Sequence, residues 1–267
     1  GFMEKEMILQ KVNYSEGSFT PYDPDNRRGV LIKGFDDDPS LFTSYNYPYY
    51  QELIENYGYQ KQRDAVSMQP DIGDEAKRKL KTLSDLFTRR FDVEVKPLDF
   101  NNLEREINDI HEIFLESTTD LIYQEAPSLE LINQVAKNLK FFIKPELIMI
   151  AREKDSQKPI GFVMCILDYN QIFKITKGRI NLFKLLRPLK YIDRTRGMLQ
   201  YVVPKYQNTG LIGHMFKLEL DQFNLMGLKR FEAGTIMEEN LASIGAFSKF
   251  GGEVKKVYRI YGKEISL

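Results

Sequence analysis

The spacing of apolar positions changes character along the chain. In the first 69 residues it is irregular: residues 7–12 and 29–35 have the short, β-branched look of strands, with turn chemistry at Pro21-Tyr22-Asp23-Pro24-Asp25-Asn26 between them. Helical spacing follows over residues 49–57, Gly58 stops it, and residues 59–68 again read as a strand. Pro70-Asp71 then opens a highly charged stretch in which Leu80, Leu83, Leu86 and Phe87 recur at helical spacing, which predicts a connecting helix within residues 70–92.

Beyond Phe91 the alternation becomes regular. Residues 93–98 predict a strand, 101–116 and 128–139 helices, and 147–152 and 160–167 strands about a turn at 155–159. A strand at 198–203, a helix at 211–226, a strand at 230–236, a helix at 239–250 and a strand at 254–261 complete the pattern. This order predicts an α/β domain over 93–267 with a mixed sheet, preceded by a partial lobe over 1–69. Helix, glycine and strand at 49–68 recur at 243–261 as a faint internal repeat; two unrelated helix ends with their usual glycine explain it equally well.

Composition narrows the chemistry. With 42% apolar and 28% charged residues, the chain has an ordinary globular balance, and its 38 basic and 38 acidic side chains leave no global field towards nucleic acid or membrane. No apolar run approaches the ~18 residues of a membrane span, and no leader pattern opens the sequence, so the cytoplasm is the expected location. Gly1-Phe2-Met3-Glu4 reads like the inside of a strand, so residues upstream of Gly1 are expected. The single cysteine, Cys165, lies in an apolar run and reads as a buried thiol rather than a nucleophile. The two histidines, His111 and His214, have no second imidazole at ligand spacing, so neither a metal site nor a Ser-His-Asp triad is expected.

The most informative stretch is Val202-Val203-Pro204-Lys205-Tyr206-Gln207-Asn208-Thr209-Gly210-Leu211-Ile212-Gly213, where a β-branched run ends in a polar turn that feeds an amphipathic helix. The first turn of a helix has N–H groups with no intrahelical partner and the positive end of the macrodipole, so such a junction can hold a phosphate. Gly210 and Gly213 would let a ligand approach the backbone.

With Gln207-Asn208-Thr209-Gly210 at its centre, Glu239-Asn240 before the last helix and Phe250-Gly251-Gly252-Glu253 after it, the region 93–267 resembles the GNAT superfamily of acyl-CoA-dependent N-acyltransferases. Tyr45-Asn46-Tyr47-Pro48-Tyr49-Tyr50 and Tyr258-Arg259-Ile260-Tyr261 are similar to a bacterial branch of two-lobed GNAT-like proteins, whose first lobe is degenerate. The resemblance implies a mixed, mostly antiparallel twisted sheet flanked by helices, with an incomplete GNAT-like first lobe. It also implies that acetyl-CoA or another acyl-CoA is a co-substrate, its pantetheine beside Val202 and Val203. The N–H groups at Asn208, Thr209, Gly210, Leu211, Ile212 and Gly213 would hold its pyrophosphate, and Asn240 and Phe247 would border the same site. An amine would attack the thioester directly, with no covalent enzyme intermediate and no metal.

Two positions depart from that pattern. Ile212 stands where a second glycine is usual, and Phe247 stands where many members carry a tyrosine that protonates the leaving thiolate, which weighs a non-catalytic binder against an active enzyme. Glu232 and Tyr201 are the candidates for proton transfer, with an outward-facing carboxylate and a packed ring as their structural alternatives. Glu238 is a further candidate, although acidic residues before a helix often serve only its dipole.

Residues 169–196 hold Lys174, Lys177, Arg179, Lys184, Arg187, Lys190, Arg194 and Arg196 against Asp193 alone, eight minus one, a surplus of seven. Interleaved with Ile172, Phe173, Ile175, Ile180, Leu182, Phe183, Leu185, Leu186, Leu189 and Ile192, this stretch reads as a lid or insertion with a solvated basic face; peripheral membrane contact is the alternative. The expected partner is a small-molecule or peptide amine, with transfer of an aminoacyl or lipid group as an alternative that the two-lobed resemblance also implies; no motif of the sequence points to nucleic acid.

Overall fold

A computed structural model describes residues 2–19, 28–119, 126–140, 142–179 and 190–265. The turn expected at 21–26, and Ile180, Leu182, Phe183, Lys184, Leu185, Leu186, Arg187 and Leu189 of the basic stretch, lie outside the described residues. The chain is α/β, with mostly antiparallel sheet flanked by helices, and divides into two compact units: Gly1–Gln69 with Ala233–Leu267, and Pro70–Glu232.

In the first unit, strand β9 (Glu253–Glu264) pairs antiparallel with β1 (Tyr14–Gly17), β2 (Val30–Lys33) and β3 (Gln60–Gln69). β3 continues the sheet to the later residues of β8 (Arg230–Met237), with Val66 opposite Ile236. Leu31, Ala65 and Tyr258 form its buried centre, joined by Phe35 and Met237. Helix α1 spans Phe2–Leu9 and α2 spans Tyr49–Asn56. The first of these corrects the strand expected at 7–12. Met-Ile-Leu-Gln-Lys-Val is too short for its period to decide, and Glu4, Lys5, Glu6, Met7 and Leu9 are good helix formers.

In the second unit, β4 (Val93–Pro97), β5 (Ile148–Glu153), β6 (Pro159–Leu167) and β7 (Arg194–Val202) form an antiparallel run in sequence order. Side chains alternate between its faces. Phe162 and Tyr201, which are register partners, meet Phe114 of α4 (Leu103–Ser117) on one face. Gly161, one residue away, turns the other face to Leu211 of a helix spanning Leu211–Leu225. The helices preceding that one are α3 (Asp74–Thr88), α5 (Leu129–Leu139, capped by the Ser128 hydroxyl) and the short α6 (Asn170–Ile175), so the Leu211–Leu225 helix is α7. Helix α8 (Leu241–Ser248) belongs to the first unit.

Two boundaries differ from expectation for physical reasons. β7 begins at Arg194, four residues before the expected strand, because Arg194 and Arg196 alternate onto one face and are buried. Buried arginines are rare enough that the run read as surface insertion. These two therefore do not belong to a solvated basic face, whereas Lys177, Arg179 and Lys190 are exposed. Helix α8 starts two residues later than expected, because Asn240 caps it and Glu238 and Glu239 lie in the turn before.

Candidate functional site

The turn after β7 is built by its own side chains. Pro204, with its fixed φ, opens a single 3₁₀ turn, Pro204–Tyr206. The Tyr206 hydroxyl donates to Glu153 Oε1 at 2.7 Å, and Lys205 Nζ reaches the same oxygen at 2.8 Å. Hydrogen bonds from Lys205, Tyr206 and Ser156, in that order, hold the Glu153 carboxyl down at about 2. Gln207 Nε2 then donates back to the Val202 carbonyl at 3.1 Å, and the Thr209 hydroxyl donates to the Tyr206 carbonyl at 2.6 Å. The backbone is left-handed at Asn208 (φ 59°) and Gly210 (φ 100°), the second a conformation that glycine alone adopts without strain.

These conformations leave the backbone donors of the turn open. Among the described residues, no acceptor takes the N–H groups of Asn208, Thr209, Gly210, Leu211, Ile212 or Gly213; the first helical bond runs from His214 N to Gly210 O at 3.0 Å. Gly210 offers no side-chain cap. Six successive donors at the positive end of a 15-residue helix offer hydrogen bonds of the kind a phosphate or pyrophosphate accepts. Ile212, which replaces the usual glycine, packs its side chain against the core cluster. A Cβ at Gly213 would meet only Leu83, at 3.6 Å.

Helix α3 supports the turn from behind. Ser84 Oγ lies 2.7 Å from His214 Nδ1, and the His214 ring stacks on Phe87 at 5.3 Å. Burial first, then Lys217, lowers the His214 pKa, so the ring is neutral at pH 7. His214 thus points inward. Sequence reading had no access to this support: Ser84 and His214 stand 130 positions apart.

The remaining candidates are distributed as follows. Val202 and Val203 are buried at the end of β7, and Tyr201 lies in the core, its ring 5.6 Å from Phe162 and 4.7 Å from Phe114. Glu232 is 3% exposed, with a carboxylate oxygen 3.8 Å from Arg194 Nη1; Arg194 Nε also binds buried Asp168 at 2.6 Å. It is not the outward-facing carboxylate that strand position alone allowed. Asn240 and Phe247 are in the first unit, where the Asn240 side chain accepts from Ser243 N at 3.0 Å. Glu238 is engaged by Lys61 at 2.8 Å and by the Asp64 N–H at 2.9 Å, and Glu239 pairs with Arg63. Cys165 is buried, and burial raises its thiol well above the usual range; Glu219 beside it is pushed up to about 8 by the same cause.

The fold these elements define is that of the GNAT N-acetyltransferases. A GCN5-related N-acetyltransferase from Sphaerobacter thermophilus superposes with a TM-score of 0.53 at 14% identity, over 84% of this chain and 60% of that one. A tandem GNAT protein from the clavulanic acid biosynthesis pathway superposes with a TM-score of 0.51 at 8% identity, over 100% of this chain and 68% of that one. No family model matches the sequence. Among curated proteins, the chain is similar to a bacterial ceramide synthase of Caulobacter vibrioides, at 27% identity over 251 residues. It is also similar to protein YghO of Escherichia coli, at 28% over 249 residues. Each alignment covers 89% of this chain, which spans 63% and 62% of the lengths of these relatives. None of the described helices is long and apolar enough to cross a membrane.

Proposed function

We propose that the chain is the catalytic region of an acyl-CoA-dependent N-acyltransferase whose acceptor is the amine of a long-chain amino alcohol. The observation that carries the reading is the run of six open N–H groups from Asn208 to Gly213, at the turn where a pyrophosphate would need them. The name of the Caulobacter relative supports the acceptor class, because a ceramide is the amide of a long-chain amino alcohol. Acetyl-CoA and longer acyl-CoA thioesters are both candidate donors, with the pantetheine beside Val202 and Val203.

In this reading the neutral amine attacks the thioester carbonyl, the C–N bond forms, and the C–S bond breaks to release the thiol. One proton must leave the nitrogen and one must reach the sulfur. Glu232 is our candidate for the first step, held in place by Arg194. Tyr201, its ring enclosed by Phe114 and Phe162, supports the strand. Phe247 cannot supply the second proton, so the thiolate leaves directly or takes a proton from the acceptor's own nitrogen. That same residue favours the second reading, a GNAT-like protein that binds acyl-CoA without efficient turnover.

Isothermal titration with acetyl-CoA, palmitoyl-CoA and desulfo-CoA tests the binding. Thiol release with sphinganine, with the amide identified by mass spectrometry, tests the chemistry. Affinity in the micromolar range with amide formation is expected. Absence of binding at millimolar ligand overturns both readings, and binding without turnover across an amine panel leaves the second. Glu232→Gln should lower kcat at least about tenfold while the affinity for desulfo-CoA is kept, since removing a general base commonly costs 10²–10⁴.

A further inference from the structure

We infer that helix α3, which lies before the GNAT-like region 93–267, provides the subsite for the nucleotide end of the acyl-CoA; this rests on the phosphate reading of the turn at 207–213. The helix runs antiparallel along the start of α7. Leu83 faces Gly213, Ser84 bonds His214, Phe87 lies 4.0 Å from where a Cβ on Gly210 would stand, and the Phe91 ring is 5.9 Å from that of Tyr206. The buried stripe of α3 is Ala76, Leu80, Ser84 and Phe87.

Beside that stripe, on the flank of Leu83, lie large side chains that remain partly open to solvent. Leu83 is 41% exposed and Leu86 46% exposed, two large apolar side chains three positions apart on a helix that is otherwise strongly charged outside. At ~100° per residue they fall within about 60° of one another. The chain keeps turning past Thr88, with Arg90 N donating to Phe87 O at 3.0 Å, so Arg90 continues the same flank one turn beyond Leu86. Arg90 is exposed and pairs with no carboxylate among the described residues. Leu83 brings this flank to Gly213, at the first turn of α7 where the N–H groups are open, and Phe87 of the adjoining stripe meets Gly210.

An apolar shelf beside a pyrophosphate site, ending in an unpaired guanidinium, matches adenosine 3′-phosphate in both shape and charge. The flat face of the base would cover Leu83 and Leu86, removing them from water, and Arg90 would take the 3′-phosphate as a charge-assisted, bidentate pair. The two contacts are separable. Removing the guanidinium affects only ligands that carry the 3′-phosphate, and removing the shelf affects only ligands that carry the base.

The experiment is isothermal titration of the whole chain with CoA, 3′-dephospho-CoA and 4′-phosphopantetheine. For the unsubstituted protein, CoA should bind about tenfold more tightly than 3′-dephospho-CoA, as expected for one hydrogen-bonded ion pair. Arg90→Ala should abolish that ratio without changing the affinity for 3′-dephospho-CoA. Leu83→Asn with Leu86→Asn should weaken both nucleotides about tenfold and leave 4′-phosphopantetheine unchanged; both positions are exposed, and circular dichroism checks that the helix is retained. If CoA binds and these variants match the unsubstituted protein, the subsite is wrong and the phosphate turn stands. If CoA does not bind at all, the phosphate reading fails and the subsite with it.

Discussion

The chain begins two of its helices in opposite ways. Helix α8 is closed by its own sequence: the Asn240 side chain accepts from Ser243 N, and Glu238 and Glu239 stand immediately before it, each engaged by a basic side chain of β3. Helix α7 starts from Gly210, with no side-chain cap, no acidic residue in its first turn, and six successive N–H groups open. A helix start normally fills its orphan donors because leaving them open costs stability, typically about 1 kcal/mol for one missing cap. The rest of the turn is held by the bonds of Glu153, Gln207 and Thr209, and the proposed phosphate would take the donors that remain.

The largest effect should come from making α7 resemble α8. Gly210→Asp places a carboxylate at the cap position, where it can accept from the first-turn N–H groups and repel an incoming phosphate. Aspartate is strained at φ 100°, so some stability should be lost as well, and circular dichroism with denaturant unfolding checks that the fold persists before affinity is read. Affinity for CoA should fall by about 100-fold or more, the equivalent of two hydrogen bonds to a charged group. Titration reads this directly, and an unchanged affinity would break the contrast between the two helix starts.

The reverse change tests the closed end. Asn240→Ala removes the α8 cap and should cost about 1 kcal/mol of stability in denaturant unfolding, with an unaltered m-value. A loss below a few tenths of a kcal/mol would mean that Asn240 is retained for something other than capping.

Much of this architecture was legible in the sequence. The strands from 93 to 167 announced themselves by β-branched runs between turn residues, and the polar turn at 207–213 was visible as a strand-to-helix junction. What holds that turn was not. Glu153 reaches Lys205 and Tyr206 across 52 and 53 positions, and Ser84 reaches His214 across 130, distances at which spacing carries no signal. The start of β7 stayed hidden for a related reason. Inside, Arg194 is met by Asp168 and Glu232, and a single sequence does not say which charges are paired. Ile212 stands where the resemblance expects a glycine, and the direction of its side chain, against the core, depends on the register of the helix start, which spacing alone does not give.

The smallest effect concerns His214, in the first turn of α7, where the open helix start and its support meet. Burial and Lys217 depress its folded pKa below the ordinary value of about 6.5 that it regains on unfolding. Above that value both states carry a neutral ring, and the group leaves stability unchanged. As the pH falls below about 6.5 the unfolded chain takes up the proton first, so stability declines until the folded ring is protonated too. His214→Gln should therefore flatten the stability curve on the acid side of neutrality, measured by urea unfolding between pH 7.5 and 5. An anion on the open N–H groups favours a positive charge nearby, so saturation with CoA should flatten the curve of the unsubstituted protein in the same window. If the ligand stabilises the protein equally at every pH in that range, the phosphate does not sit near this end of α7.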